Sequence, residues 1–216
     1  MKNYNILINF FVFFVIFIFY ALPPIFFISE PVTQINFPLN SLILFIFSAF
    51  LYYFTNRFFL QISKKNIPVL KLIFSSVLCF IFIFLLGMIF NFLATIFKIK
   101  DEYSLIPQNL KEYFFVILTF SFSAFFEEVM YRFFIPEELS FFLQIKFSAK
   151  IAFLISESLT LLIFALSHRY RGLFAILNAA IAHVILRFFY KRTKNIAVTS
   201  SAHFFYNTIL FFLSLI

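Results

Sequence analysis

Two adjacent carboxylates, Glu127 and Glu128, lie within an apolar stretch of the chain. A carboxylate at the depth of a lipid bilayer costs about 3 kcal/mol or more unless a neighbouring group compensates it. Glu128 and Arg132 are four residues apart, so in a helix they share one face and can pair. Glu127 is rotated by about 100° from that face and stays free to face a cavity. We therefore interpret Glu127 as a candidate base and the Glu128–Arg132 pair as its support.

Two further apolar segments carry polar side chains that fit the same site. His168 follows Phe164 by four residues, and Asn207 follows His203 by four, so each pair shares a helical face. A glutamate with a histidine can deprotonate water, and a histidine with an asparagine can donate to a developing oxyanion. Alternatively, Glu127, His168 and His203 could bind zinc or another divalent metal with water in an open position. Both alternatives predict attack of water on a carbonyl, as in peptide hydrolysis.

The composition predicts the elements that position these residues. The chain of 216 residues is 63% hydrophobic and 12% charged, with a mean hydropathy of +1.02. A soluble domain would be near half apolar and about a quarter charged. We therefore predict an all-α, polytopic membrane helical bundle with about seven transmembrane helices. The predicted segments are about 6–29, 39–62, 68–97, 113–136, 148–168, 172–190 and 196–216.

The positive charges predict the orientation of these segments. The net charge is +8, but the basic residues cluster in short loops, so we predict membrane lipid and no nucleic acid as a partner. Ten basic residues, Arg187 among them, fall on the side of the N-terminus and five on the other. This bias predicts a cytoplasmic N-terminus, in what we expect to be a bacterial inner membrane. We expect the first segment to remain as an uncleaved span.

The segment boundaries raise a problem of depth. Glu127 lies about nine residues from the cytoplasmic end of its segment, which is ~14 Å at 1.5 Å per residue. His168 ends its own segment on the far side. For His168 to join the site, its span must begin deeper or continue past Arg169. Residues 136–147 would then form a partly immersed segment.

Three short motifs occur in order on separate segments and resemble those of one family. They are Glu-Glu-x-x-x-Arg at 127–132, Phe-x-x-x-His at 164–168 and His-x-x-x-Asn at 203–207. Over about residues 113–210 the chain resembles the CPBP family of intramembrane proteases. These are related to the type II CAAX prenyl endopeptidase and to Abi-like bacteriocin-processing and immunity proteins. The resemblance implies a catalytic core at 113–216, of about four spans, behind an N-terminal region 1–112 of about three.

The resemblance also implies roles for the motif residues. Glu127 and His168 would activate water, and His203 and Asn207 would stabilise the oxyanion. The supporting residues would be Glu128, Arg132 and Phe164, of which Phe164 is expected to act by packing. A metalloprotease and a metal-free glutamate mechanism both remain open. In either case the substrate would be a membrane-associated peptide or protein.

Two other functions remain as alternatives. The chain could be a non-catalytic immunity or assembly protein that keeps the family fold. It could also be an ion-coupled carrier that uses the buried carboxylates, although carriers often show internal repeats and none is visible. Two more polar residues stand in apolar segments: Glu157, which could line the same cavity, and His183, which we interpret as a packing or hydrogen-bonding residue.

Overall fold

A computed structural model describes residues 6–26, 34–55, 67–97 and 106–215, and every regular element within these ranges is a helix. Every helix except α6 falls largely within one of the predicted apolar segments, where a backbone in lipid must satisfy its own hydrogen bonds. The helices are α1 (Ile6–Ile16, continued by a π-helix at Phe17–Ala21), α2 (Pro23–Phe26), α3 (Leu39–Thr55), α4 (Val69–Ile96), α5 (Leu110–Glu128), α6 (Ile135–Leu143), α7 (Ala149–Ser167), α8 (Leu173–Thr193) and α9 (Ile196–Leu213).

Six stretches of helix are long and apolar enough to cross a membrane, and the shorter apolar helix α3 has 17 residues. This confirms the prediction of a polytopic helical bundle. The predicted ends at 27–29, 56–62 and 216 lie outside the described residues. The candidate spans are Asn9–Phe26, Val69–Ile96, Leu110–Leu143, Ala149–Ser167, Leu173–Thr193 and Ile196–Leu213.

The longest stretch runs without a break from α5 through a π-helix at Val129–Phe134 into α6. Asn109 caps its start, accepting from the Glu112 backbone N–H at 3.1 Å and donating to the Glu112 carboxylate at 2.8 Å. This reciprocal arrangement is a capping box. The sequence predicted an end near Pro136, but the helix continues to Leu143.

Pro136 is tolerated inside this stretch because another side chain replaces its missing hydrogen bond. Proline has no backbone N–H, so it cannot donate to the carbonyl of Arg132, four residues earlier. The Arg187 guanidinium donates to that carbonyl through Nη1. The π-helical turn at Val129–Phe134 widens the backbone just before Pro136. Such turns are frequent at functional sites.

The hairpin of α6 and α7 removes the problem of depth. From Leu143 back to Glu127 is 16 residues and from Ala149 forward to His168 is 19, or ~24 Å and ~28 Å of helix. Because α7 packs back along α6, the two ends lie at one level. Tyr131 follows Glu127 by four residues, and Phe164 precedes His168 by four. Their ring centroids are 5.1 Å apart, so the two helices are in contact one turn from Glu127 and His168. Helix α6 covers most of residues 136–147, the segment for which partial immersion was predicted.

Arg187 was counted with the loop charges, and the structure places it elsewhere. Helix α8 extends to Thr193, so Arg187 lies inside it with a buried side chain. It pairs with Glu157 at 2.7 Å and with Glu137 at 3.1 Å. Lys194 Nζ lies 3.5 Å from the same oxygen of Glu137. Arg187 therefore joins α6, α7 and α8 and is not a marker of orientation.

We expect Arg187→Met to destabilise the protein by about 1–3 kcal/mol, because it leaves the Arg132 carbonyl without its side-chain donor and removes the nearest cation from Glu137 and Glu157. Thermal unfolding in detergent measures the change. Arg192→Met is the matched control, since Arg192 lies exposed on the last turn of the same helix, and it should change stability by less than about 0.5 kcal/mol. Equal effects of the two substitutions would contradict this role of Arg187.

Candidate active site

The Glu128–Arg132 pair lies at the centre of the bundle, with both side chains fully buried. Arg132 Nη2 lies 3.3 Å from Glu128 Oε1, as the spacing predicted. The same carboxylate oxygen is 2.9 Å from His203 Nδ1 on α9. Arg132 Nη1 lies 2.8 Å from Nδ1 of His183 on α8. One buried ion pair thus connects three helices.

The donor or acceptor character of Arg132 and Glu128 fixes which ring nitrogen of each histidine carries a hydrogen. A guanidinium only donates, so Nδ1 of His183 accepts from Arg132 and carries no hydrogen. A carboxylate accepts, so Nδ1 of His203 carries the hydrogen that Glu128 receives. His203 therefore presents only Nε2 to its remaining surroundings. His183 is a hydrogen-bonding residue, as the sequence indicated.

Phe164 on α7 covers the guanidinium of Arg132. The Arg132 Cζ lies 4.2 Å from the centroid of the Phe164 ring, a cation–π distance. The same ring contacts His168 and His183, with centroids 4.8 Å and 5.5 Å away. Packing was the expected role of Phe164. In the structure its packing also stabilises a buried charge.

Glu127 lies in a different environment from its neighbour. Its side chain is 27% exposed, and Oε2 lies 3.9 Å from Nε2 of His203. That separation is too long for a direct hydrogen bond. Oε2 has no hydrogen-bond partner within the part of the chain that the structure describes. One carboxylate is thus engaged by the ion-pair cluster, and the other faces the open nitrogen of His203.

His168 is held by the last turn of its own helix. Its Nδ1 lies 2.9 Å from the carbonyl oxygen of Phe164 and 3.2 Å from the hydroxyl of Ser167. A carbonyl only accepts, so Nδ1 carries the hydrogen and Nε2 is left as an acceptor. Because Nδ1 is engaged as a donor, Nε2 is the nitrogen of His168 that can receive a hydrogen bond or a proton.

A cavity of about 90 Å³ brings His168, His203 and Asn207 together between α4, α7, α8 and α9. A water molecule occupies roughly 30 Å³ in the liquid, so the cavity has room for a few waters. Two lining residues that the sequence analysis did not select are Asn178 and Tyr206. The available signal was an amide in the apolar helix α8.

Glu157 does not share this cavity. It lines a separate groove between α7 and α8, together with Arg187 and Lys191. The suggestion that Glu157 could line the site is therefore wrong. Its carboxylate is engaged by Arg187 at 2.7 Å.

A metal was left open by the sequence, with Glu127, His168 and His203 as its ligands. Among the residues described by the structure, no three His, Cys, Asp or Glu side chains are grouped closely enough to hold a metal ion. The three candidate ligands do not fit a metal site in this conformation, so we derive no step through a metal.

We expect the buried pair to behave as a unit. Arg132→Met should destabilise the protein by about 3–5 kcal/mol, because it leaves Glu128 charged and buried without its partner. Adding Glu128→Gln to that variant should recover much of the loss, since no charge then remains uncompensated. Thermal unfolding of the two single variants and the double variant gives the coupling energy. Strictly additive effects would contradict the pairing.

The comparisons with known proteins bear on the half of the chain that contains the site. Residues 109–209, a little under half of the chain, match the family described as type II CAAX prenyl endopeptidase Rce1-like. No curated protein and no solved structure matches the chain. The matched residues include all three motifs and the elements that carry them, from α5 to α9. The resemblance that the motifs predicted is thereby confirmed: residues 109–209 are similar to the family of type II CAAX prenyl endopeptidases described as Rce1-like.

Proposed function

We propose that the chain hydrolyses a peptide bond of a membrane-associated substrate, with Glu127 as the base that activates water. The observation that carries this proposal is the contrast between the two glutamates. Each carboxylate has an Oε2 without a hydrogen-bond partner among the described residues. Glu128, however, is fully buried and its Oε1 is bound by Arg132 and His203, whereas Glu127 is 27% exposed and only approaches Nε2 of His203. A base must be reachable by water and must not be neutralised by an ion pair, so Glu127 is the better candidate of the two.

His168 assists in the activation of water. Its Nδ1 donates to the Phe164 carbonyl, which leaves Nε2 as an acceptor at the cavity. A water between Glu127 and His168 would meet two acceptors, and each could hold one of its protons. This orients a lone pair of the water toward the substrate carbonyl. As the tetrahedral intermediate collapses, the C–N bond breaks, and the proton that Glu127 took from the water passes to the leaving nitrogen.

His203 and Asn207 stabilise the oxyanion that forms when water attacks. With Glu128 accepting at Nδ1, His203 can donate at Nε2 only as an imidazolium. The carboxylates of Glu127 and Glu128 stabilise the positive charge on His203. With the guanidinium of Arg132 included, the formal charges of these four side chains sum to zero. The amide of Asn207 supplies a second donor from the same face of α9. Removal of one such donor typically costs 10²–10³ in kcat.

The family and the membrane environment support a lipid-associated peptide as the substrate. We further propose, from the bias of positive charges alone, that the N-terminus is cytoplasmic in a bacterial inner membrane. The proposed site then lies between spans that a substrate can approach from within the bilayer.

A quenched fluorescent CAAX peptide, in prenylated and unprenylated forms, tests the mechanism with protein purified in detergent. Glu127→Gln should lower kcat by at least about 100-fold, because an amide cannot accept a proton from water. His203→Ala should have an effect of similar size through the oxyanion. Glu112→Gln is the matched control, because glutamine can still accept from Asn109 and Glu112 lies in the first turn of α5, 15 residues from Glu127.

Cleavage by Glu127→Gln at the rate of the unchanged protein would overturn the mechanism. The alternative function, a non-catalytic immunity or assembly protein, makes the opposite prediction. A biological effect of the chain that survives Glu127→Gln undiminished would favour it. Thermal unfolding of each variant separates loss of chemistry from loss of fold.

A further inference from the structure

Asn178 on α8 and Tyr206 on α9 form a polar pair in the wall of the cavity that contains His168 and His203. The Asn178 amide donates to the Tyr206 hydroxyl through Nδ2 at 2.8 Å. The other amide atom, Oδ1, is buried and has no hydrogen-bond partner among the described residues. A buried polar atom left unpaired costs about 1–3 kcal/mol, so this oxygen requires an explanation.

The pair offers an acceptor and at least one donor beyond the bond that joins its members. The Tyr206 oxygen accepts one hydrogen of Asn178 Nδ2, so the Tyr206 hydroxyl hydrogen and the second Nδ2 hydrogen can donate, and Asn178 Oδ1 can accept. If the amide oxygen and nitrogen of Asn178 are exchanged, the amide nitrogen is the free donor and the Tyr206 oxygen is the free acceptor. Either orientation leaves at least one donor and one acceptor on neighbouring side chains.

Gly87 on α4 has no side chain, which leaves room for the ring of Tyr206. The chain has two glycines, and this one lies against that ring. A Cβ at position 87 would lie 2.7 Å from Cε2 and 3.0 Å from the hydroxyl oxygen of Tyr206. Any larger residue would therefore displace the hydroxyl from Asn178. Three helices thus contribute to the placement of one donor–acceptor pair.

We propose that Asn178 and Tyr206 form a subsite that binds a main-chain peptide unit of the substrate. A peptide unit presents one C=O and one N–H, which match the free hydrogen of Tyr206 and the free oxygen of Asn178. The substrate backbone then supplies the partner that Asn178 Oδ1 lacks. The subsite rests on the proposed function, because it holds a peptide next to the water that Glu127 and His168 activate.

Binding to the Glu127→Gln variant tests the subsite without turnover. The probe is a fluorescein-labelled, prenylated CAAX peptide, and fluorescence anisotropy measures its Kd. Adding Asn178→Ala or Tyr206→Phe should each weaken binding about 3- to 10-fold, the effect of one lost hydrogen bond. Gly87→Ala should weaken it similarly, because it moves the hydroxyl.

Two matched controls should leave the Kd unchanged. Asn91→Ala removes an exposed amide from α4, and Tyr113→Phe removes a phenol hydroxyl from a ring that packs on Phe212 outside the cavity. Peptides in which each amide in turn is replaced by an ester lack a single N–H. We expect one ester position, the one whose N–H binds Asn178, to weaken binding to the Glu127→Gln variant. The same ester should cause no further loss of binding in the variant that carries both Glu127→Gln and Asn178→Ala.

Each other result has a distinct meaning. Unchanged binding by Asn178→Ala and Tyr206→Phe would overturn the subsite and leave the proposed function standing. Additive effects of Asn178→Ala and the ester at every position would also overturn it. Failure of Glu127→Gln itself to bind the peptide, while still folded, would overturn the proposed function and the subsite with it.

Discussion

The rest of the site depends on a guanidinium that is buried in an apolar bundle. Taking Arg132 and Glu128 out of water costs several kcal/mol per ion, and their mutual attraction repays this only with good geometry and further hydrogen bonds. The bundle supplies further contacts to both ions: His203 donates to the carboxylate, His183 receives a guanidinium hydrogen, and Phe164 covers the guanidinium face. These groups come from α9, α8 and α7, so the ion pair can form only when three other helices are in place around it.

The sequence could predict the pairs but not the level at which they meet. A spacing of four residues places Glu128 with Arg132 on one helical face whatever the surrounding fold, and the structure shows that pair. The level of His168 depends on where the preceding helix ends, and Pro136 resembled a helix end because it cannot donate a backbone hydrogen bond. The carbonyl that it leaves open is bonded by Arg187, which is 55 residues away in sequence. No local pattern contains such a contact.

The partners of the buried charges were hidden for a similar reason. Positive residues near the end of an apolar segment usually lie in a loop, so Arg187 was assigned to one. Its acidic partners, Glu137 and Glu157, lie on two other helices, and only the tertiary packing of α6 and α7 brings them within reach. His183 presented the same difficulty, because a single histidine in an apolar helix gives no indication of what it bonds. Asn178 and Tyr206 likewise are recognised as a pair only from the hydrogen bond between them in the structure.

The contrast between two adjacent glutamates follows from where the donors are. Helix geometry separates Glu127 and Glu128 by about 100°, but this alone does not say which of them is free. The donors decide it: Arg132 lies one turn along on the face of Glu128, and His203 directs its N–H to the same oxygen. Nε2 of His203, on the far side of the ring, is the nitrogen nearest to Glu127. One imidazole thus bonds the structural carboxylate through one nitrogen and faces the available carboxylate with the other, so the two glutamates cannot exchange roles without rebuilding the cluster.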